Sequence, residues 1–296
     1  MGKDNNIFKD LESLGFDGIN NINIYEKKEE ENKESNKVKE EEVKEEDLLY
    51  DKNVTCPVCE NKFKARVVKT NAARVQGKDK DLCIRYKGIN PYFYDVWLCN
   101  ICGYASMKAD FEKIKEVEKE RVLSEISNKW RGKNYPDVYD VNIAIERYKI
   151  ALLNYTVIGA KASKKALNCL KIAWMYRLLE DTKNEKLFIE QALLGFKDAY
   201  FNEDFPIYGM DKYTIMYLIG ELNRRLGNYS EALKQFGEVI TSQGASRKVK
   251  DLAYDQKELI REILQERKKE NFPNEEFNEN KEEDKKKKGF FKRFFS

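Results

Sequence analysis

From Phe111 to about Lys269, large apolar residues recur at three- and four-residue intervals. That is the period of a helix with one buried face. The stripes predict helices near 111–130, 140–158, 162–179, 184–202, 211–226, 229–242 and 246–269. Gly132, Gly159, Asp181–Thr182, Pro206–Gly209, Gly227 and Gly244 punctuate them, as turn-forming residues should. Residues 48–110 read differently. Phe63, Ala65 and Val67 alternate with polar residues, as do Tyr92, Tyr94, Val96 and Leu98, with Gly88, Asn90 and Pro91 marking a turn between the runs. Alternation is the signature of half-buried strands. The pattern predicts an α+β, mainly α chain: a β module over 48–110, then a helical domain over 111–269.

The two ends lack such a body. Ile7, Leu11 and Leu14 give residues 1–25 one or two amphipathic turns before Gly15, too short for a stable isolated helix. Residues 26–47 are a charged linker with 11 acidic and 6 basic residues. Residues 270–296 are read as a disordered tail. It ends in Lys285, Lys286, Lys287, Lys288, Phe290, Phe291, Lys292, Arg293, Phe294 and Phe295, six positive charges with four phenylalanines. Clustered charge with apolar rings suits peripheral contact with anionic lipid. A tail folded back on the helices, or a peptide read by another protein, is the alternative. The N-terminus shows no apolar signal-peptide core, and no apolar run is long enough to span a bilayer. The expected location is the cytoplasm, with contact at the inner membrane face through the tail.

The helical part repeats a pattern. Ala144-x3-Tyr148-x2-Ala151, Ala192-x3-Phe196-x2-Ala199 and Ala232-x3-Phe236-x2-Val239 match one another at offsets of 48 and 40 residues. This resembles an irregular tetratricopeptide repeat, whose usual period is about 34. Such arrays bind proteins or peptides on one face, and Arg177, Arg224 and Arg225 are candidate partner contacts there.

The chain of 296 residues has no histidine and six cysteines. Without histidine there is no Ser-His-Asp triad, no Cys-His dyad and no His-ligated metal. Four cysteines form two CxxC pairs, Cys56–Cys59 and Cys99–Cys102. Two such knuckles supply four thiolates to a tetrahedral ion. One structural Zn²⁺ is the expected cofactor, with iron in a rubredoxin-like site as the alternative. Gly103 fits the left-handed position that closes such a turn. Glu60 holds that place in the first knuckle, so the turn there is expected to close differently, at Asn61. The 39 residues between the pairs exceed the roughly 15–20 of a simple ribbon, so an inserted strand pair is expected. Cys83 and Cys169 read as buried thiols, and Lys78-Asp79-Lys80-Asp81 as a loop. Between residues 60 and 98, nine Lys or Arg face four acids, which leaves nucleic acid as a further candidate partner. There is no GxGxxG and no P-loop.

Three blocks carry a resemblance. They are Leu49-Tyr50-Asp51-Lys52 through Cys56-Pro57-Val58-Cys59; Gly88-Ile89-Asn90-Pro91 through Cys99 to Cys102-Gly103-Tyr104-Ala105; and Trp174-x-Tyr176-Arg177 with Tyr217 through Glu221, Arg224-Arg225 and Gly227. Together they resemble the bacterial domain-of-unknown-function family 2225 over roughly residues 48–260. The resemblance implies a zinc-ribbon-like head on tetratricopeptide-like helices and assigns no activity. The reading is a non-catalytic interaction scaffold. The alternatives are a zinc-ribbon nucleic-acid binder and an enzyme that uses carboxylates or tyrosines.

Overall fold

The computed structural model describes residues 44–271. The head 1–25, most of the linker 26–47 and the tail from residue 272, with Lys285–Lys288, Phe290, Phe291, Lys292, Arg293, Phe294 and Phe295, lie outside the described residues. Within them, six strands make three separate two-stranded antiparallel sheets: β1 (Leu49–Thr55) with β2 (Lys62–Val68), β3 (Arg74–Lys78) with β4 (Ile84–Lys87), and β5 (Val96–Leu98) with β6 (Ala105–Met107). Seven α-helices follow: α1 (Glu116–Val122), α2 (Val141–Val157), α3 (Ala162–Leu178), α4 (Thr182–Asn202), α5 (Lys212–Arg225), α6 (Tyr229–Thr241) and α7 (Arg247–Asn271). The fold is α+β and mainly α. The inserted strand pair expected between the cysteine pairs is β3–β4.

Local chemistry places the boundaries. Asp140, Asp181 and Asp211 cap α2, α4 and α5 by accepting from Ile143 N, Asn184 N and Thr214 N at 2.8, 3.0 and 2.7 Å, so each helix starts where its aspartate stands. Two expectations shift. Residues 91–94 form a short 3₁₀ turn and not strand, because the Asn90 side chain accepts from Tyr92 N at 3.1 Å and Pro91 begins the turn. The first helix begins at Glu116 and not near Phe111. Its start is fixed by Glu118, whose carboxylate accepts from Lys115 N at 2.8 Å, while Phe111 is fully buried ahead of it.

One apolar core runs without a break from Val54 in β1 to Leu222 in α5. The β hairpins and the first helices therefore share an interior across the 110/111 boundary. Polar ties reinforce the junction. Arg147 Nη2 donates to the Val96 carbonyl at 2.7 Å, Asn154 Nδ2 to the Gly103 carbonyl at 3.1 Å, and Met107 N to Tyr155 Oη at 3.0 Å. Lys171 on α3 is ion-paired with Asp95, next to β5. A second cluster, with Tyr217, Phe236, Val249, Ala253 and Ile260, joins α5, α6 and α7.

The recurring alanine and aromatic positions on α2, α4 and α6 are all buried. Small residues between them set the helix spacing. A methyl group at Gly220 would lie 2.7 Å from Cε1 of Phe236, whereas one at Gly237 would meet nothing within 4 Å. Alanine favours helices over glycine at both positions, by about 0.5–1 kcal/mol, but only the second can accept it. Gly237→Ala should raise the urea midpoint. Gly220→Ala should lower it, by about 1–3 kcal/mol of overpacking less that propensity gain.

Candidate metal centre and arginine cluster

Each CxxC pair is the tip of a hairpin. Cys56 and Cys59 join β1 to β2, and Cys99 and Cys102 join β5 to β6. The two knuckles have the same hydrogen bonds. Cys56 N donates to Asn61 O and Glu60 N to Cys56 O, both at 2.9 Å. Cys99 N donates to Tyr104 O and Gly103 N to Cys99 O, again at 2.9 Å. The expected difference at the first knuckle is absent. Glu60 itself takes the left-handed conformation, at φ 59°, as Gly103 does at φ 75°. The hydrogen-bonded turn imposes that geometry on a residue with a Cβ, at a cost of about 1–2 kcal/mol. At Gly103 the glycine is needed twice over, since a Cβ would sit 2.7 Å from Cγ of Trp130.

The four sulfurs lie within 4.8 Å of one another. Cys56 and Cys102 are 3.6 Å apart, and Cys59 and Cys99 3.5 Å. A metal–sulfur bond of about 2.3 Å gives a tetrahedral edge of about 3.8 Å, so the geometry fits one ion. The charge balance points the same way. Hydrogen bonds from Cys102 and Cys56 pull Cys99 down to about 2, while its sulfur neighbours and burial push Cys102 far above an ordinary thiol. Four thiolates this close repel one another, and a dication among them would offset that charge. Cys56, Cys99 and Cys102 are buried and Cys59 half-buried. Cys83 and Cys169 lie outside the cluster. Burial pushes each up to about 12, leaving inert thiols.

The second knuckle is braced from outside. Ser127 Oγ donates to the Cys102 carbonyl at 2.8 Å, Trp130 Nε1 to the Asn100 carbonyl at 2.9 Å, and Lys133 N to Asn100 Oδ1 at 2.6 Å. The segment after α1 thus wraps the metal-side turn, and Asn154 ties the same turn to α2.

A second polar centre lies at the tip of the β3–β4 hairpin. Asp81 is fully buried there. Its carboxylate accepts from Arg177 Nη2 at 2.5 Å and Trp174 Nε1 at 3.0 Å, with Arg225 Nε at 3.6 Å. Arg177 also reaches Asp79 at 3.0 Å and Glu185 at 2.8 Å. Arg225 and Arg224 both bind Glu221, itself fully buried, at 2.9 and 2.7 Å. Tyr217 Oη donates to the Lys80 carbonyl at 2.8 Å, Lys80 pairs with Asp255 at 3.2 Å, and Leu82 packs on the α5–α7 cluster. The three arginines expected at a partner surface therefore have their guanidinium groups on carboxylates of the same chain. Of the loop expected at residues 78–81, Lys78 ends β3 and the turn begins at Asp79; Lys78 and Lys80 are exposed, Asp79 half-buried and Asp81 buried. The composition hides the burial of Asp81, because four charged residues in a row read as solvated.

Several basic residues of the β region are likewise engaged. Arg66 pairs with Asp51 and Asp137, Arg85 with Asp79, and Lys64 with Asp51.

Burial alone would raise the Asp81 carboxyl, but the hydrogen bond from Arg177 and the charges of Arg225 and Arg177 outweigh it and hold it below the ordinary value. A depressed carboxyl stabilises the fold above its unfolded pKa of about 3.9, and that stabilisation is lost as pH falls through the folded value. Asp81→Asn should cost about 1–3 kcal/mol near neutral pH, the loss of charged hydrogen bonds, since Arg177 keeps Asp79 and Glu185 and Arg225 keeps Glu221. Urea titrations should show the gap to the parent chain narrowing below about pH 4. At the knuckles, Glu60→Gly should gain up to about 1 kcal/mol, the left-handed strain relieved less the entropy of a glycine. Gly103→Ala should lose more than that.

Comparison with known proteins agrees with these elements. The profile of a family described as "Uncharacterized protein conserved in bacteria (DUF2225)" matches residues 49–260, from the first residue of β1 into α7. An uncharacterized protein of Borreliella burgdorferi is 22% identical over 169 residues, covering 50% of this chain and 60% of that protein. The alignment thus spans less than two thirds of the relative's length. No solved structure gives a significant match. The chain belongs to the bacterial family DUF2225.

Proposed function

We propose that this protein is a non-catalytic interaction scaffold whose β module is stabilised by one zinc ion that joins the β1–β2 and β5–β6 hairpins through Cys56, Cys59, Cys99 and Cys102. The observation that carries this is the closed donor set. Four sulfurs at tetrahedral spacing fill the coordination shell of the ion and leave no position for water or substrate, which marks a structural site. Zinc is favoured over iron as the common occupant of such paired knuckles. The helices α2–α7 serve as an irregular tetratricopeptide-like array. The reading is supported by the buried Ala-x3-aromatic-x2-small positions on α2, α4 and α6. Partner proteins or peptides bind the array.

The location proposed is the cytoplasm, with the tail 285–296 against the inner membrane face. What supports the tail is its sequence alone, six basic residues with four phenylalanines. Among the described residues no helix is long and apolar enough to cross a membrane.

Metal analysis of the purified full chain should give one zinc per chain, lost in Cys56→Ser. Iron, or no metal, contradicts the site. Affinity purification from the native host should bring down a protein partner in stoichiometric amount, and a chain that elutes alone across growth conditions counts against the scaffold. Sedimentation with anionic liposomes should disappear when residues 285–296 are deleted. Equal sedimentation with and without them rules out the tail as an anchor.

A further inference from the structure

The hairpin tip is held like a ligand. Its polar contacts with the helices are made by side chains: Trp174 and Arg177 on α3, Tyr217 and Arg225 on α5, and Asp255 on α7. No strand pairing joins it to the helical part, since β3 pairs only with β4. We propose that the face shared by α3, α5 and α7 is a recognition site for acidic peptide segments, occupied in this structure by the chain's own Asp79-Lys80-Asp81-Leu82. This rests on the scaffold reading and names the class of partner.

The chemistry of the occupant defines the ligand. Two carboxylates two residues apart meet Arg177, which binds both, at 3.0 Å for Asp79 and 2.5 Å for Asp81. Arg225 adds a second positive charge to the inner carboxylate. Arginine is suited to such forked carboxylate recognition. One backbone carbonyl accepts from Tyr217, and a leucine follows onto an apolar floor. A segment of the form acid-x-acid-leucine satisfies all of these contacts.

The occupant in cis can be displaced for two physical reasons. Leu82 sits at φ 71°, a left-handed conformation that costs a branched residue about 1–3 kcal/mol and that a free peptide need not adopt. The hairpin behind the tip is a single strand pair, a unit of marginal stability on its own, with Val75 exposed. Against this stands the tether, which presents the tip at an effective concentration in the millimolar range. Weak ligands are therefore excluded, and a partner with further contacts gains entry.

The test uses the full chain and a labelled synthetic hexapeptide, Lys-Asp-Lys-Asp-Leu-Ser, which copies residues 78–83 with serine for the cysteine. In a variant carrying Asp79→Gly, Lys80→Ser, Asp81→Gly and Leu82→Ser, shown folded by circular dichroism, fluorescence anisotropy should detect binding at least about 100-fold tighter than to the parent chain. Adding Arg177→Ala, or replacing both aspartates of the peptide by asparagine, should abolish it. A folded variant that ignores the peptide, or binds it no better than the parent does, overturns the proposal. Should the variant not fold, amide exchange of the parent chain decides. Millimolar peptide should speed exchange in residues 74–87, and unchanged exchange overturns the proposal. A partner that still co-purifies after either negative result leaves the scaffold standing and removes only the acidic-segment site.

Discussion

The four-sulfur junction is the constraint on which the β half depends. Each of the three sheets has only two strands, and a lone strand pair is marginal in water. The core of β1–β2 and β5–β6 is shared with α1–α5, so these two pairs need something to hold them in register. The two knuckles do this by bringing hairpin tips more than 40 residues apart in sequence, such as Cys56 and Cys102, to 3.6 Å. The four sulfurs are placed where one cation could bind them all, and such an ion would compensate thiolates of which three are buried.

The second constraint is ionic and sits at the far end of the inserted hairpin. Asp81 and Glu221 are both fully buried; Asp81 depends on Arg177 and Arg225 from two helices distant in sequence, and Glu221 on Arg224 and Arg225 of its own helix. Such networks are no bargain in free energy compared with an apolar contact of the same shape. Their use is directional. Arg177 can satisfy Asp79, Asp81 and Glu185 together only when the hairpin, α3 and α4 are correctly placed, so the network specifies an arrangement more than it adds stability.

Much of this was legible in the sequence for identifiable reasons. The helices follow from apolar periodicity, whereas the starts fixed by the Asp140, Asp181 and Asp211 caps emerge from the structure. The cysteine cluster followed from spacing, and the long gap between pairs implied the β3–β4 insertion. What could not be read depends on contacts between distant residues. Glu60 adopts a glycine's conformation because the hydrogen-bonded knuckle demands it, and no local preference announces that. Tyr92 and Tyr94 alternate like strand residues, yet the Asn90-Pro91 start turns the backbone into a 3₁₀ helix. Asp81 looks solvated beside three other charges, and only the fold places Trp174, Arg177 and Arg225 around it. The charge of Arg177, Arg224 and Arg225 is plain in the sequence, while their carboxylate partners are set by the fold.

A metal on the four sulfurs would hold the β1–β2 hairpin to the β5–β6 hairpin, whose turn Ser127, Trp130 and Asn154 tie to the helical part. Amide hydrogen exchange on zinc-loaded and chelator-stripped full chain tests it most directly. Stripping should collapse protection in β1, β2, β5 and β6 and in the 127–133 segment that wraps the second knuckle. The α5–α7 cluster, which has its own core, should keep its protection. Unchanged protection across the four strands after complete metal removal would contradict the account.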